Sequence, residues 1–292
     1  MSLLVLAGLV GCVDQGFSAV KLDAIAVVNG DFDDIGETLA RNEIGSQPFN
    51  GYISQSTTYE GDERPTREDP GKTVEQLLTQ YNAEGTKVEI QLFNAVFINS
   101  GTRGLNAWEY NNTFNADDSI LLDEEAVRNV CDFPEGGGSL FVTDWAYDIV
   151  EACWPDKIEF ENDDSVVDAA QVGQAGEVLA DVPDKDLADA LGLSVVDIEY
   201  NYSAFSVMNS VRSDVEVLLK GDISYQPEGA TAYEVHAGVP MAVRFTVGHS
   251  GQVVFTNFHL FAQTASVADA ILFRGIEGIE AGNGSKSAEA VE

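Results

Sequence analysis

The sequence is poor in positive charge. Its 292 residues hold only 7 Lys and 8 Arg against 49 Asp plus Glu, a formal net charge of −34 at pH 7. The cations are scattered without a patch, so a phosphate backbone meets repulsion and nucleic-acid binding is excluded. Attachment to anionic lipid through a basic face fails for the same reason. Histidine is equally scarce: three His on separate elements make no zinc site by spacing. There is no CxxC, HExxH, P-loop or GxSxG. No internal repeat is visible. What remains is a chain 45% apolar, too hydrophobic for disorder and long enough for a substantial core. The excess carboxylate reads as a highly solvated surface of the kind that high salt screens.

Long apolar runs are also lacking. The first eleven residues, MSLLVLAGLVG, are almost wholly apolar but span only about 16 Å as a helix, too short for a bilayer core. They read as a signal-peptide apolar region over residues 1–11, with a short linker at 12–21. The end of the run, Leu9-Val10-Gly11-Cys12, resembles a bacterial lipobox. That resemblance implies acylation of Cys12 and a lipid-anchored protein of the cell envelope. Val13 follows the cysteine, with Asp14 one place late for inner-membrane retention, so the outer membrane is favoured. Export leaves Cys131 and Cys153 where pairing is allowed. The strand between them and the helix after it bring both thiols to one end of the sheet. A bridge closing that loop would be worth about 3 kcal/mol. The geometry favours it over two free buried cysteines.

Hydrophobic period gives alternating strands and helices in the first half. Strands are expected at Asp23–Val28, Ala95–Ile98 and Leu140–Thr143. Helices are expected at Glu37–Arg41, Thr73–Tyr81, Asp123–Val130 and Trp145–Cys153. Phe49–Gly71 and Trp108–Ser119 are polar excursions. The second half is strand-rich: Val178–Val182, Val195–Tyr200, Val215–Leu219, Met241–Val247 and Gln252–Thr256. The last two form a hairpin around Gly248-His249-Ser250-Gly251. Helices are expected around Pro183–Leu191 and at Ser266–Phe273, and residues 277–292 read as a disordered tail. The fold expectation is α/β: a flavodoxin-like parallel sheet over residues 22–276 with helices on both faces, extended by antiparallel strands.

Three stretches carry a family resemblance: AVFINSG (Ala95–Gly101), GGGSLFVTDWAYD (Gly136–Asp148) and PMAVRFTVGHSGQVVFTNFH (Pro240–His259). In order and spacing they resemble the class I glutamine amidotransferase-like superfamily, including its trehalose-utilisation-protein-like branch. The resemblance implies that Ala95–Gly101 is the strand and glycine turn preceding the oxyanion loop, that the nucleophile elbow falls at Asp144, and that His259 is the rim histidine, with Ser100, Gly101, Asp144, Trp145 and His259 as the candidate ligand-binding residues. The chemistry it implies lacks two parts. The elbow, Thr143-Asp144-Trp145, has no cysteine, and Leu260 and Phe261 stand where proline and an acid usually follow the histidine. Thiol-based glutamine hydrolysis is therefore not expected.

Asp144 ends a parallel strand, the place where open α/β sheets bind ligands. Four roles are open to it: general base beside His259, cation ligand, loop anchor, or N-cap of the following helix. Trp145 suits stacking on a sugar or packing on the sheet. Asp31, Asp33 and Asp34 close the first strand at the same edge. With Gly36 they mimic part of an EF-hand loop, but Ile35 and Asn42 fail as ligands. They read either as solvated capping carboxylates or, with Asp144, as a loose calcium or other divalent-cation site. The acidic run Glu159–Asp164 reads as a solvated loop. His236, in a turn-like segment, and His249, at the hairpin tip, are expected to be exposed. Taken together, the sequence describes a membrane-anchored, non-catalytic module binding a small molecule or an envelope protein. The rivals are a hydrolase or sugar-modifying enzyme using Asp144 and His259, and a structural part of an envelope assembly.

Overall fold

The computed structural model describes residues 24–51, 71–105, 108–109, 113–114, 119–162, 169–227 and 229–276. The leader, Cys12 acylation site and linker expected from the sequence, and the tail expected at 277–292, lie outside the described residues. Within the first half the elements are β1 (Ile25–Val28), α1 (Ile35–Arg41), β2 (Gln47–Phe49), α2 (Val74–Thr79), β3 (Ala95–Ile98), β4 (Trp108–Glu109), β5 (Thr113–Phe114), α3 (Glu124–Glu135), β6 (Ser139–Thr143) and α4 (Asp148–Cys153). There follow β7 (Ile158–Phe160), β8 (Gly176–Asp181), α5 (Lys185–Leu191), β9 (Val195–Tyr200), β10 (Met208–Val211), β11 (Glu216–Tyr225), β12 (Glu234–Val247), β13 (Gly251–Thr256) and α6 (Ala265–Ile276).

Nine strands form one mixed sheet in the order β2-β1-β3-β6-β13-β12-β11-β8-β9. The pairs from β2 to β13 are parallel, and those from β13 to β9 are antiparallel. The parallel core strands are buried on both faces, which is why they read as unbroken apolar runs. Their side chains alternate between two cores. Val96, Ile98, Leu140, Val142, Val253 and Phe255 join α2, α3 and α4 on one face. Phe97, Phe141 and Val254 join α1, α5 and α6 on the other. The expected α/β architecture, helices on both faces and an antiparallel extension, is the one observed.

The helix starts follow side-chain capping. Thr73 and Gln76 make a reciprocal capping box on α2, and Asp123 accepts from Glu125 N and Ala126 N at the start of α3. Asp34 caps α1 and Asp184 caps α5 in the same way. α3 runs past Cys131 to Glu135, because Pro134 in the last turn is tolerated and the glycines after it provide the stop. Cys131 on α3 and Cys153 on α4 form a disulfide, with Cα atoms 5.2 Å apart.

Several boundaries differ from the sequence reading. β11 and β12 are far longer than their apolar cores, because polar residues pair across the ribbon from Glu216–Arg244 out to Tyr225–Glu234. His236 therefore lies within β12, half-buried, and not in a turn. The acidic run Glu159–Asp164, expected to be a loop, begins inside β7, where Glu159 and Phe160 pair with β10. The helix expected from Trp145 begins as a 3-10 turn over Asp144–Ala146 before α4. At the far edge, β8 and β9 bury Ala180, Val196, Ile198 and Tyr200 on one face only. The other face is open, with Leu179 68% exposed and Glu177 directly opposite Glu199.

Candidate functional site

Four neighbouring strands end at one edge of the sheet. β1 leads into Asn29-Gly30, β3 into Asn99-Ser100-Gly101, β6 into Asp144, and β13 into Asn257-Phe258-His259. The first two turns are zipped together: Asp31 N donates to Gly101 O and Phe32 N to Ser100 O, each at 3.2 Å. That approach requires glycine at position 30, where a Cβ would lie 2.0 Å from the Ser100 carbonyl oxygen. Gly101, at φ +79°, supplies the left-handed turn on the other side.

Asp144 sits at the sharp turn out of β6 with φ +40°, a conformation few non-glycine residues adopt. Its side chain does not cap the following helix, contrary to the N-cap alternative. Instead Oδ1 accepts from Ser206 N at 2.7 Å and from Ser206 Oγ at 3.1 Å. Oδ2 lies 3.1 Å from His259 Nε2. The same Nε2 is 3.0 Å from Ser100 Oγ, and Nδ1 is 2.8 Å from Asn201 Oδ1. Ser100 is held in turn by donation of its N–H to Thr143 Oγ1. The strand ends thus bring together Ser100, Asp144 and His259, and the loop after β9 adds Asn201 and Ser206.

This constellation is not a nucleophilic triad. A triad needs the hydroxyl on one ring nitrogen and the acid on the other, so that the base stays free to take the hydroxyl proton. Here hydroxyl and acid share Nε2, and Nδ1 faces an acceptor. Burial pushes the Asp144 carboxyl above its usual range, with the hydrogen bonds from His259 and Ser206 pulling it back. Burial also opposes charge on His259, but the Asp144 hydrogen bond and charge, aided by Asp33, outweigh it and raise the imidazole. With acceptors at both nitrogens, the doubly protonated ring is the form the site satisfies. Asp144 and His259 thus form a buried acid–imidazole pair.

The site is also roofed. Ser100, Asp144 and His259 are at most 3% exposed. Phe32 packs against Trp145 edge-on at 4.9 Å and against Tyr202 at 5.4 Å, and Tyr202 meets the His259 ring edge-on at 5.6 Å. Trp145 is pinned by donation of Nε1 to Ala204 O at 2.6 Å. Trp145 therefore packs within the fold rather than standing open.

The three carboxylates after β1 go to separate partners. Asp31 pairs with Arg103 at 2.5 Å. Asp33, expected to be solvated, is 2% exposed and accepts from Leu260 N and Phe261 N, tying the turn after His259 to the end of β1. Asp34 caps α1 through Glu37 N. Among the described residues no three His, Cys, Asp or Glu converge as a metal site. Sequence reasoning missed Phe32, Asn201, Tyr202 and Ser206. Nothing in the local pattern of the 201–206 turn marks its contact with a residue some sixty positions earlier.

No protein-family model matches the chain, and no curated protein sequence matches it. Similar solved structures include a candidate GMP synthase component from Thermoplasma acidophilum, 8% identical over 89% of this chain and 96% of that one, TM-score 0.48. PurLQS from Thermotoga maritima is 11% identical over 87% and 97%, TM-score 0.48. A glutamine amidotransferase from Thermotoga maritima is 6% identical over 90% and 85%, TM-score 0.41.

Proposed function

We propose that this chain is the exported, non-catalytic domain of a lipid-anchored envelope protein, acting as a binding or interaction module. One observation carries the reading. The residue at the elbow is an aspartate whose two oxygens are both engaged, by Ser206 and by a histidine whose two nitrogens are both engaged. Such a site locks four loops together and leaves no free base. The lipobox-like Leu9–Cys12 and the Cys131–Cys153 disulfide support export to an oxidising compartment. The closed edge, with Tyr202 half-exposed on its roof, favours recognition by the outer surface over enclosure of a substrate.

Ammonia release from L-glutamine, followed with purified protein, tests the central claim. No release above background is expected; release lost in His259→Ala would sink it. For the anchor, Cys12→Ser is expected to move the protein from the membrane to the soluble fraction, and continued membrane association would count against acylation.

One observation favours a second reading: the left-handed backbone at Asp144, with His259 at 3.1 Å, is the backbone geometry of a nucleophile elbow. An enzyme built on it would hydrolyse p-nitrophenyl acetate in a manner abolished by Asp144→Asn. A rate equal in wild type and variant removes this reading.

A further inference from the structure

The two end strands of the nine-stranded sheet are blocked against further pairing. β2 is three residues long with Pro48 in its middle, a residue that offers no N–H. On β9 the Gln263 carboxamide accepts from Glu199 N and donates to Glu199 O, each at 2.9 Å, and Asp197 adds a second charge to that edge. The outer arm of β12 has no such guard. β13 pairs with β12 only over Ala242–Val247, so from Glu234 to Val239 the strand has β11 on one side and, among the described residues, no strand on the other.

This arm, Tyr233–Ala237 with Gly238 closing it at φ +66°, is low in charge for so acidic a protein: one carboxylate, no Lys and no Arg. On one face Tyr233, Val235 and Ala237 are exposed, Val235 to 69%. On the other lie Glu234 and His236, across the ladder from Tyr225 and Ile223. The His236 ring packs on Tyr225 with centroids 5.6 Å apart, and its Nδ1 is shut off from water with no hydrogen-bond partner among the described residues. A bare backbone edge, an apolar face and an imidazole with an unmet bond thus coincide on five residues.

We propose that this arm is a self-association surface, on which β12 of a second copy adds antiparallel to β12 about a two-fold axis through Val235. A two-fold contact must be complementary to itself, and the sequence meets that condition in this register. Val235 faces its own counterpart, Tyr233 faces Ala237 of the second copy, and Glu234 faces His236 of the second copy. The last contact occurs twice and brings a carboxylate to each imidazole. An axis through His236 would instead set the two imidazoles against each other and Glu234 against glycine. The contact is small, which makes the dimer weak. Two bodies of charge −34 approach only where salt shortens the Debye length, to about 3 Å at 1 M.

Sedimentation equilibrium in about 1 M NaCl tests this, on the full chain carrying Cys12→Ser, which has neither the expected acylation site nor a spare thiol. A monomer–dimer equilibrium with a dissociation constant on the order of 50 µM is expected. Val235→Lys, at an exposed position, sets two ammonium groups face to face on the axis and is expected to weaken the dimer about tenfold or more. Val195→Lys, the same change on β9, is expected to leave it unchanged. Val235→Cys is expected to give a disulfide-linked dimer on mild oxidation, since opposed Cα atoms of an antiparallel pair lie about 4.5–5.5 Å apart; Val195→Cys is expected to give none. The proposal is overturned if the chain stays monomeric up to about 500 µM, if Val235→Lys dimerises as its parent does, if Val195→Lys is the variant that loses the dimer, or if Val235→Cys forms no linked dimer.

Discussion

Truncating His259 is the sharpest test of the buried pair. His259→Ala leaves the Asp144 carboxylate 1% exposed, with Oδ1 still held by Ser206 but Oδ2 stripped of its partner. Breaking a buried pair in this way costs about 3–5 kcal/mol, because the remaining charge stays desolvated. For a domain of this size that is a melting-temperature drop of roughly 10 °C. Asp144→Ala strands the imidazolium instead and is expected to cost a similar amount. The double variant removes both charges and should cost clearly less than the sum, giving a coupling of about 2–3 kcal/mol in a double-mutant cycle. The pH dependence follows from the raised His259. A group raised on folding contributes stability that is fully present below its unfolded value, about 6.5, and lost as pH rises through the folded value. The gap between wild type and His259→Ala, measured by urea unfolding, should therefore narrow in alkali as His259 loses its proton, and narrow again in acid as the stranded Asp144, raised by burial, takes one up. A gap under about 0.5 kcal/mol, or one constant across the whole pH range, would show that no charged pair exists.

Gly30→Ala forces a Cβ onto the Ser100 carbonyl and is expected to destabilise by about 3 kcal/mol, whereas Gly45→Ala, with open space around it, should be neutral within about 0.5 kcal/mol; thermal melting compares them. Removing the Cys131–Cys153 bridge, as the double serine variant, opens a loop spanning 22 positions and should cost about 3 kcal/mol in urea unfolding. Millimolar calcium should leave the melting temperature unmoved, since Asp31, Asp33 and Asp34 serve separate partners; a rise abolished by Asp31→Ala/Asp33→Ala would contradict this.

The parallel half was legible because strands buried on both faces leave unbroken apolar runs, as in Ala95–Ile98, bounded by turn residues such as Asn99-Ser100-Gly101. The β12–β13 hairpin was legible through its glycine-flanked turn. The outer ends of β11 and β12 were not, because Glu216–Tyr225 and Glu234–Val247 pair largely through polar, half-exposed residues that lack a strand's apolar alternation. At the site, Asp144 and His259 were legible as ends of predicted strands. Their partners Asn201 and Ser206 were not, because hydrogen bonds between distant turns depend on tertiary placement and leave no periodic trace. Asp33 looked solvated for a related reason: only the fold brings the Leu260 and Phe261 amides to it.

The position of β13 has a consequence for how the molecule assembles. It lies between β6 and β12, in the middle of the sheet, although it is the last of the described strands. Until Gln252 pairs with Ser139, the parallel strands and the antiparallel ribbon remain two half-sheets, each with an unsatisfied edge. Closing so long a loop makes that docking slow and places it late in folding. His259 arrives with the same segment, so its contact with Asp144 belongs to the final step. Substitutions at that pair should speed unfolding while leaving the folding rate nearly unchanged, making the lock a determinant of how long the native state lasts.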